Sequence, residues 1–388
     1  MLPGIQRLLP DGLLVQAEMT CFIGIVCMIV GYYIFPERSL KAIPRVEITT
    51  SLESMANSAV VAGLLAAFIT RIDSFVVIPA RLSAIFAALS QLMVFCIGVL
   101  FYTQLKGRLK PQLVFVLWGV LAPFRFLASL TSGAVGQVIY DAIVMLGVYW
   151  VAKRKWPWRT GMLFAFFVIP MLGVKGEYRK QVWFATENYN TLEKAQIFFG
   201  LMRDGFLGQE GFVKDSLETS VQRIDQTITL CAVMNLTPSV IPYWGGDSYS
   251  TLYWMFIPRL LYPDKPLKVM GQDFGHRYGL LGKSDRTTSY NLPQLVELYV
   301  NFGTWGVVLG MFLIGMICRW LFHVFSSPVS GDAGKLLAVV VFSRLCNIES
   351  DFSLVFGGLF LQILTLALMV RLMNTRKIHM PLDAFRFR

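Results

Sequence analysis

Nine stretches of this chain stay apolar for about 17 to 25 residues, the length an α-helix needs to cross the hydrocarbon core of a bilayer. They lie near 14–35, 55–71, 82–103, 112–131, 136–152, 160–174, 294–318, 334–349 and 353–371. In lipid, every backbone N–H and C=O must find a partner within the protein, and a run of this length does so as a helix. Composition agrees: of 388 residues 55% are hydrophobic and 15% charged, against roughly 25% charged in a soluble domain. The reading is an all-α integral membrane protein with about 9–11 transmembrane helices and one long loop on one side.

The basic residues orient it. A net charge of +11 would suggest nucleic acid in a soluble protein, but here lysines and arginines mark the cytoplasmic loops. Arg38, Lys41 and Arg45 follow the first run, and Lys106, Arg108 and Lys110 the third. Lys153, Arg154, Lys155 and Arg159 follow the fifth, Arg319 and Lys335 bracket the seventh-to-eighth loop, and Arg371, Arg376, Lys377, Arg386 and Arg388 form the tail. All five clusters fall on one side, so the N-terminus is expected outside and the C-terminus in the cytoplasm. The first run follows no basic n-region and precedes no small-residue cleavage site, so it is expected to span rather than be cleaved. The six cysteines show neither a disulfide framework nor a CxxC pair.

Three regions result: a six-span part over 1–174, an external segment over 175–293, and a three-span part with a tail over 294–388. The middle segment carries 13 Lys or Arg and 12 Asp or Glu. Long translocated loops escape the positive-inside bias. A loop of this length without structure is improbable unless it is functional. Within it, 226–242 and 250–262 are apolar but interrupted by Pro238, Pro242 and Pro258, which suits interfacial or re-entrant helices.

The candidates for chemistry sit in this segment. Glu177 and Arg179 lie in KGEYR, Arg223 and Asp225 in QRID, and Arg259 and Lys265 around the elbow PRLLYPDKP. His276 and Arg277 lie in FGHRYG, Arg286 in SDRTTSYN, and Glu297 in PQLVELYVNFG at the start of the seventh run. Arginine suits phosphate and pyrophosphate through its planar fork of donors. Carboxylates and histidine can take a proton from a hydroxyl. Each single arginine is more often an ion-pair partner or headgroup contact, and each aromatic more often part of an interfacial belt; the constellation carries the argument. Arg125 and Arg344 lie inside spans, where charge marks function by default, although Arg344 with Glu349 also suits a structural pair. There is no GxxxxGK[ST], HExxH or GxSxG motif, no Asp-x-Asp, and three scattered histidines. Neither a metal nor a cofactor is expected.

Two stretches, PYWGGDSYSTLYWMFIPRLLYPDKP and GQDFGHRYGLLGKSDRTTSYNLPQLVELYVNFGTWGVVLGMFLIG, resemble the bacterial oligosaccharide repeat-unit polymerases (Wzy-type O-antigen and exopolysaccharide polymerases). The likeness covers roughly 175–315. It implies a GT-C-like glycosyltransferase of the bacterial inner membrane, working on the periplasmic face without a metal. Donor and acceptor would be undecaprenyl-pyrophosphate-linked glycans, with membrane lipids and a polysaccharide chain-length regulator as partners. Carried over, Arg223, Arg259 and Arg277 would steady the leaving pyrophosphate, assisted by Arg179, Arg286 and Lys265. Glu297 and Asp225, then Glu177 and His276, are the candidate bases. A ligase of the O-antigen type, differing in its acceptor, and a transporter or flippase for the lipid-linked glycan are the alternatives.

Overall fold

The computed structural model describes residues 11–36, 39–40, 43, 45, 51–70, 83–133, 135–183, 189–208, 211–224, 226–255, 257, 261–262, 264, 270–286, 288–326, 330–347 and 349–373. Among them every regular element is helical. In chain order they are α1 (Asp11–Tyr33), α2 (Leu52–Ile69), α3 (Ser83–Leu105), α4 (Pro111–Phe115), α5 (Ala122–Thr131), α6 (Val135–Lys153) and α7 (Trp158–Trp183). Five shorter helices follow: α8 (Thr191–Gly208), α9 (Phe212–Ile224), α10 (Thr227–Leu236), α11 (Leu252–Met255) and α12 (Met270–Arg277). The chain closes with α13 (Gln294–Phe325), α14 (Gly331–Leu345) and α15 (Phe352–Met373).

Among the described residues eight spans are long and apolar enough to cross a membrane: α1, α2, α3, the α4–α5 pair, α6, α7, α13 and α15. Their outward faces carry Phe22, Val61, Phe68, Phe115, Leu163, Phe166 and Leu313 in the open. Apolar surface on that scale calls for lipid as the solvent. The protein is a multi-pass membrane protein.

The ninth expected run, 334–349, is where the count changes. Here α14 has 15 residues, about 22 Å of helix, short of the roughly 30 Å hydrocarbon core. Its length is tolerable because its neighbours are protein. Leu336, Leu337, Val340 and Val341 are buried among α3, α6, α13 and α15. Among the described residues the set is eight long apolar helices and one short packed one, against an expectation of about nine to eleven spans.

Helices α1 and α13 run parallel with their backbones almost touching. Gly24 packs on Val307 and Met311, a β-carbon at Gly31 would run into the Phe312 carbonyl, and one at Gly315 into that of Met28. Small residues permit such approach where no hydrophobic effect drives association. Beyond its break α13 therefore runs alongside α1 in the same direction, while its folded-back first turn packs on mid-α1 through Leu295 and Gly24, and a bond between Phe352 and Glu297 brings the start of α15 to that first turn. At the opposite end Lys106 Nζ donates to the Ala152 carbonyl at 3.1 Å and Arg45 Nε to His323 Nε2 at 3.2 Å.

Within the fourth span a π turn, Val116–Leu121, separates α4 from α5. Pro123 follows immediately; it lacks an N–H and its ring crowds the preceding turn, and the wider π turn makes room. The expected boundary at 174/175 falls inside α7, which continues unbroken to Trp183. The 175–293 segment is built largely of α8 to α12, with α8 and α9 packed on α7 and α10 on α1 and α13.

Candidate functional site

Helix α13 is two helices joined at a break. Gly303 has φ 65° and ψ −155°, a region essentially reserved for glycine, and a β-carbon there would lie 2.7 Å from the Tyr243 hydroxyl. The chain folds back at this point. A β-carbon at Gly306 would sit 2.5 Å from the Leu298 carbonyl oxygen, and the Leu298 side chain occupies the space one would need at Gly310. In a continuous helix residues 298 and 310 would be about 18 Å apart.

Breaking a helix strands its last carbonyls, and the loop before the 3₁₀ turn Asp247–Thr251 satisfies them. Trp244 N–H donates to Val300 O at 2.9 Å and Gly245 N–H to Asn301 O at 3.3 Å. Gly246 N–H donates to Asn301 Oδ1 at 2.9 Å. Aiming three successive amides at one helix end requires left-handed backbone, and Gly245 and Gly246 have φ of 58° and 95°. Such angles are easy only for glycine.

Under this cap lies Glu297, fully buried. Its Oε1 accepts from the Ser248 hydroxyl at 2.7 Å and its Oε2 from the Phe352 N–H at 2.6 Å. Asn301 Nδ2 donates to Ser248 Oγ at 2.8 Å and to the Glu297 carbonyl at 2.7 Å. One carboxylate thus joins the loop, the short arm of α13 and the start of α15, all through neutral donors. The ring of Tyr249 stacks on Phe302 and meets Phe352 edge-on. Burial, and then the Glu297 charge, push the Tyr249 phenol up. Burial also raises the Asp351 carboxyl, even though it caps α15 by accepting the Leu354 N–H.

Above the buried network stands a charged pair at the surface. The Arg277 guanidinium, at the end of α12, lies 4.5 Å from the centre of the Trp244 ring. Its Nη2 reaches Asp247 Oδ2 at 3.4 Å, with the two side chains 44% and 43% exposed. Trp244 and Asp247 belong to the loop that Glu297 anchors, so the buried network sets where Arg277 stands. Among the described residues Trp244 Nε1 and His276 Nε2 are buried with no hydrogen-bond partner. An arginine fork, a carboxylate and aromatic faces in one exposed patch can hold an anionic group beside a hydroxyl and accept that hydroxyl's proton.

The other expected residues stand elsewhere. Glu177 is exposed and pairs with Lys180 at 3.2 Å one turn along α7. Arg179 donates to the Gly133 carbonyl and lies over Trp183, 4.1 Å from the ring centre. Arg179 thereby ties α7 to the turn after α5, while Glu177 pairs only within its own helix. Arg286 is exposed, with its carbonyl accepting from Gln272. Arg344 does not bond Glu349; it donates to the Leu354 carbonyl and packs on Gly358, while Glu349 accepts from Asn291. Arg125 is buried and forms a two-point pair with Asp141, Nε–Oδ2 2.7 Å and Nη2–Oδ1 3.1 Å. Asp225, Arg259 and Lys265, and the side chain of Arg223, lie outside the described residues.

The sequence reading passed over Asp247, Ser248 and Asn301. All three stand in the quoted stretches, in GGDS and in NFG. The usable signal was the glycine pair and the NFG break, which mark a loop and a helix end built to meet.

Fold and site together define a multi-span helical membrane protein with a discontinuous helix and a buried carboxylate at one end. The chain belongs to the family DUF8712, a domain of unknown function, whose profile matches residues 11–380. No curated protein and no solved structure matches it.

Proposed function

We propose that this protein is a metal-independent glycosyltransferase of the polymerase type. It would join undecaprenyl-pyrophosphate-linked repeat units at the outer face of the bacterial inner membrane. The observation that carries the reading is the meeting of the two resembling stretches. GGDS and NFG interlock around Glu297, and their loop sets Trp244 and Asp247 against Arg277 at the end of α12, in the half of the bundle where α1 begins. The basic loops gather at the other end, which supports reading that end as cytoplasmic under the positive-inside rule.

In this reading Arg277 steadies the diphosphate as it leaves with the electron pair of the anomeric C–O bond; such preorganised charge is usually the largest catalytic term. The acceptor hydroxyl forms the new bond to the anomeric carbon and gives its proton to Asp247. Glu297 becomes a positioning residue, since both its oxygens are engaged and neither faces solvent. Arg223, Arg259 and Lys265 remain proposed pyrophosphate ligands, and Asp225 a second proposed base.

One observation favours a second reading. A discontinuous helix with a buried carboxylate beside its break is also how transporters build substrate sites, so transfer of the lipid-linked glycan across the bilayer is the alternative. A product assay separates the two. Membranes supplied with a defined undecaprenyl-pyrophosphate repeat unit on the outer face should yield a ladder of lengthened glycan on the carrier. Glycan appearing on lipid A or protein would make it a ligase, and movement of unlengthened carrier a transporter.

A further inference from the structure

A cavity of about 630 Å³ opens among α2, α3, α5, α6 and the start of α8. That volume is within the usual range for small-molecule sites, roughly 300–1,000 Å³. None of its walls comes from the segments that build the Glu297 network, yet it lies at the same end of the bundle: it is lined by Thr70 just beyond α2, Ser132 just beyond α5 and Gln137 at the start of α6.

Two cations line it, Arg125 and Lys194, and among the described residues no carboxylate does. Arg125 is 6% exposed, and it is held from behind: Asp141 takes Nε and Nη2, and the Ser90 hydroxyl takes Nη1. A guanidinium has five N–H donors, so three bonds fix its plane and two donors remain. The π turn and Pro123 on the same span set the rotation at which Arg125 meets the cavity. The first turn of α8 is closed by its own cap, Asn190 Oδ1 accepting the N–H of Leu192 and Glu193, and that places Lys194 one turn further along, at the rim.

We propose that this cavity is a second binding site, separate from the Arg277 rim, for a phosphate-bearing polar head. A preset guanidinium at the floor and a mobile ammonium at the rim form a fixed-plus-adjustable clamp for a phosphate or diphosphate oxygen set. Gln137, Asn190 and Thr191 add the amide and hydroxyl groups that a sugar attached to that phosphate would meet. The site does not depend on the glycosyltransferase reading, because it requires only an anion. The ligand can arrive as a lipid headgroup or as a soluble phosphate ester.

The test uses the full chain in phosphatidylcholine nanodiscs with inorganic pyrophosphate titrated by calorimetry. A parallel arm places the chain in nanodiscs containing undecaprenyl phosphate and reads thermal protection. Lys194→Ala, on a half-exposed position, should weaken pyrophosphate binding about tenfold, the worth of one charge-assisted bond. Arg125→Gln alone leaves Asp141 unpaired, so the floor is tested with Arg125→Gln/Asp141→Asn, which should abolish the Lys194-dependent pyrophosphate binding when measured in an Arg277→Ala background, where the rim no longer contributes. Protection by the lipid alone, with the same dependence on Lys194, assigns the site to a headgroup; pyrophosphate binding assigns it to a free ester. Absence of both, or affinity unchanged in Lys194→Ala and in the double variant, overturns the proposal.

Discussion

The backbone N–H of Phe352 lies 2.6 Å from Oε2 of Glu297, so the first residue of α15 is tied to a carboxylate 55 residues earlier in the chain. The other oxygen holds Ser248 of the loop. Three segments that are remote in sequence are thus registered by one side chain.

Glu297→Ala should destabilise the protein by about 2–5 kcal/mol, because it strands two buried donors at roughly 1–3 kcal/mol each. Glu297→Gln should be far milder. The amide oxygen can still accept from Phe352, and the Ser248 hydroxyl can rotate to accept from the amide nitrogen. Thermal unfolding in detergent compares them, and an alanine variant as stable as the parent would sink the anchoring role.

Gly303→Ala is expected to lower stability by about 1–3 kcal/mol through backbone strain alone. A further loss comes from the Tyr243 hydroxyl, 2.7 Å from the new methyl. Adding Tyr243→Phe should recover the steric part and leave the strain, so full recovery in the double variant would show that the backbone angle is not the problem.

Arg277→Ala should leave the fold unchanged. Its pair with Asp247 is long and nearly half exposed, and such pairs contribute about 0–1 kcal/mol. Polymer should nevertheless disappear from cells that depend on this protein, with Arg277→Lys recovering only part because a point charge cannot bridge two phosphate oxygens. Chains of normal length from Arg277→Ala would remove this residue from the mechanism.

Breaking the Arg125–Asp141 pair from one side should be severe. Arg125→Gln leaves a buried carboxylate uncompensated, a loss of about 3–5 kcal/mol, and adding Asp141→Asn should return most of it. Equal unfolding temperatures for the single and double variants would contradict the pairing.

Accessibility labelling addresses orientation. In a cysteine-free background, Lys283→Cys should react with a membrane-impermeant maleimide from outside the cell, and Lys110→Cys only after permeabilisation. The reverse pattern would place the Arg277 rim in the cytosol and end the glycan reading.

Much of the architecture follows from sequence alone, because hydrocarbon leaves so few options. A run such as 14–35 or 353–371 has to be a helix once its backbone is denied water, and alternating basic clusters order the two ends. That Gly245, Gly246 and Gly303 are places where only glycine fits came from their positive φ values in the fold. What the chain order could not reveal is which distant pieces meet. Arg125 was visible as a charge inside a span, but its partner Asp141 and the cavity beyond depend on how α5 and α6 rotate around a π turn. Glu297 read as a candidate base at the start of a span, and the fold buries it completely, because the break at Gly303 turns that short arm inward beneath the loop that carries Ser248, 49 residues upstream. Apolar periodicity records how each helix meets lipid; the pairing of polar groups inside the bundle is decided by packing, where each buried donor must find whichever acceptor the neighbouring helices bring within reach.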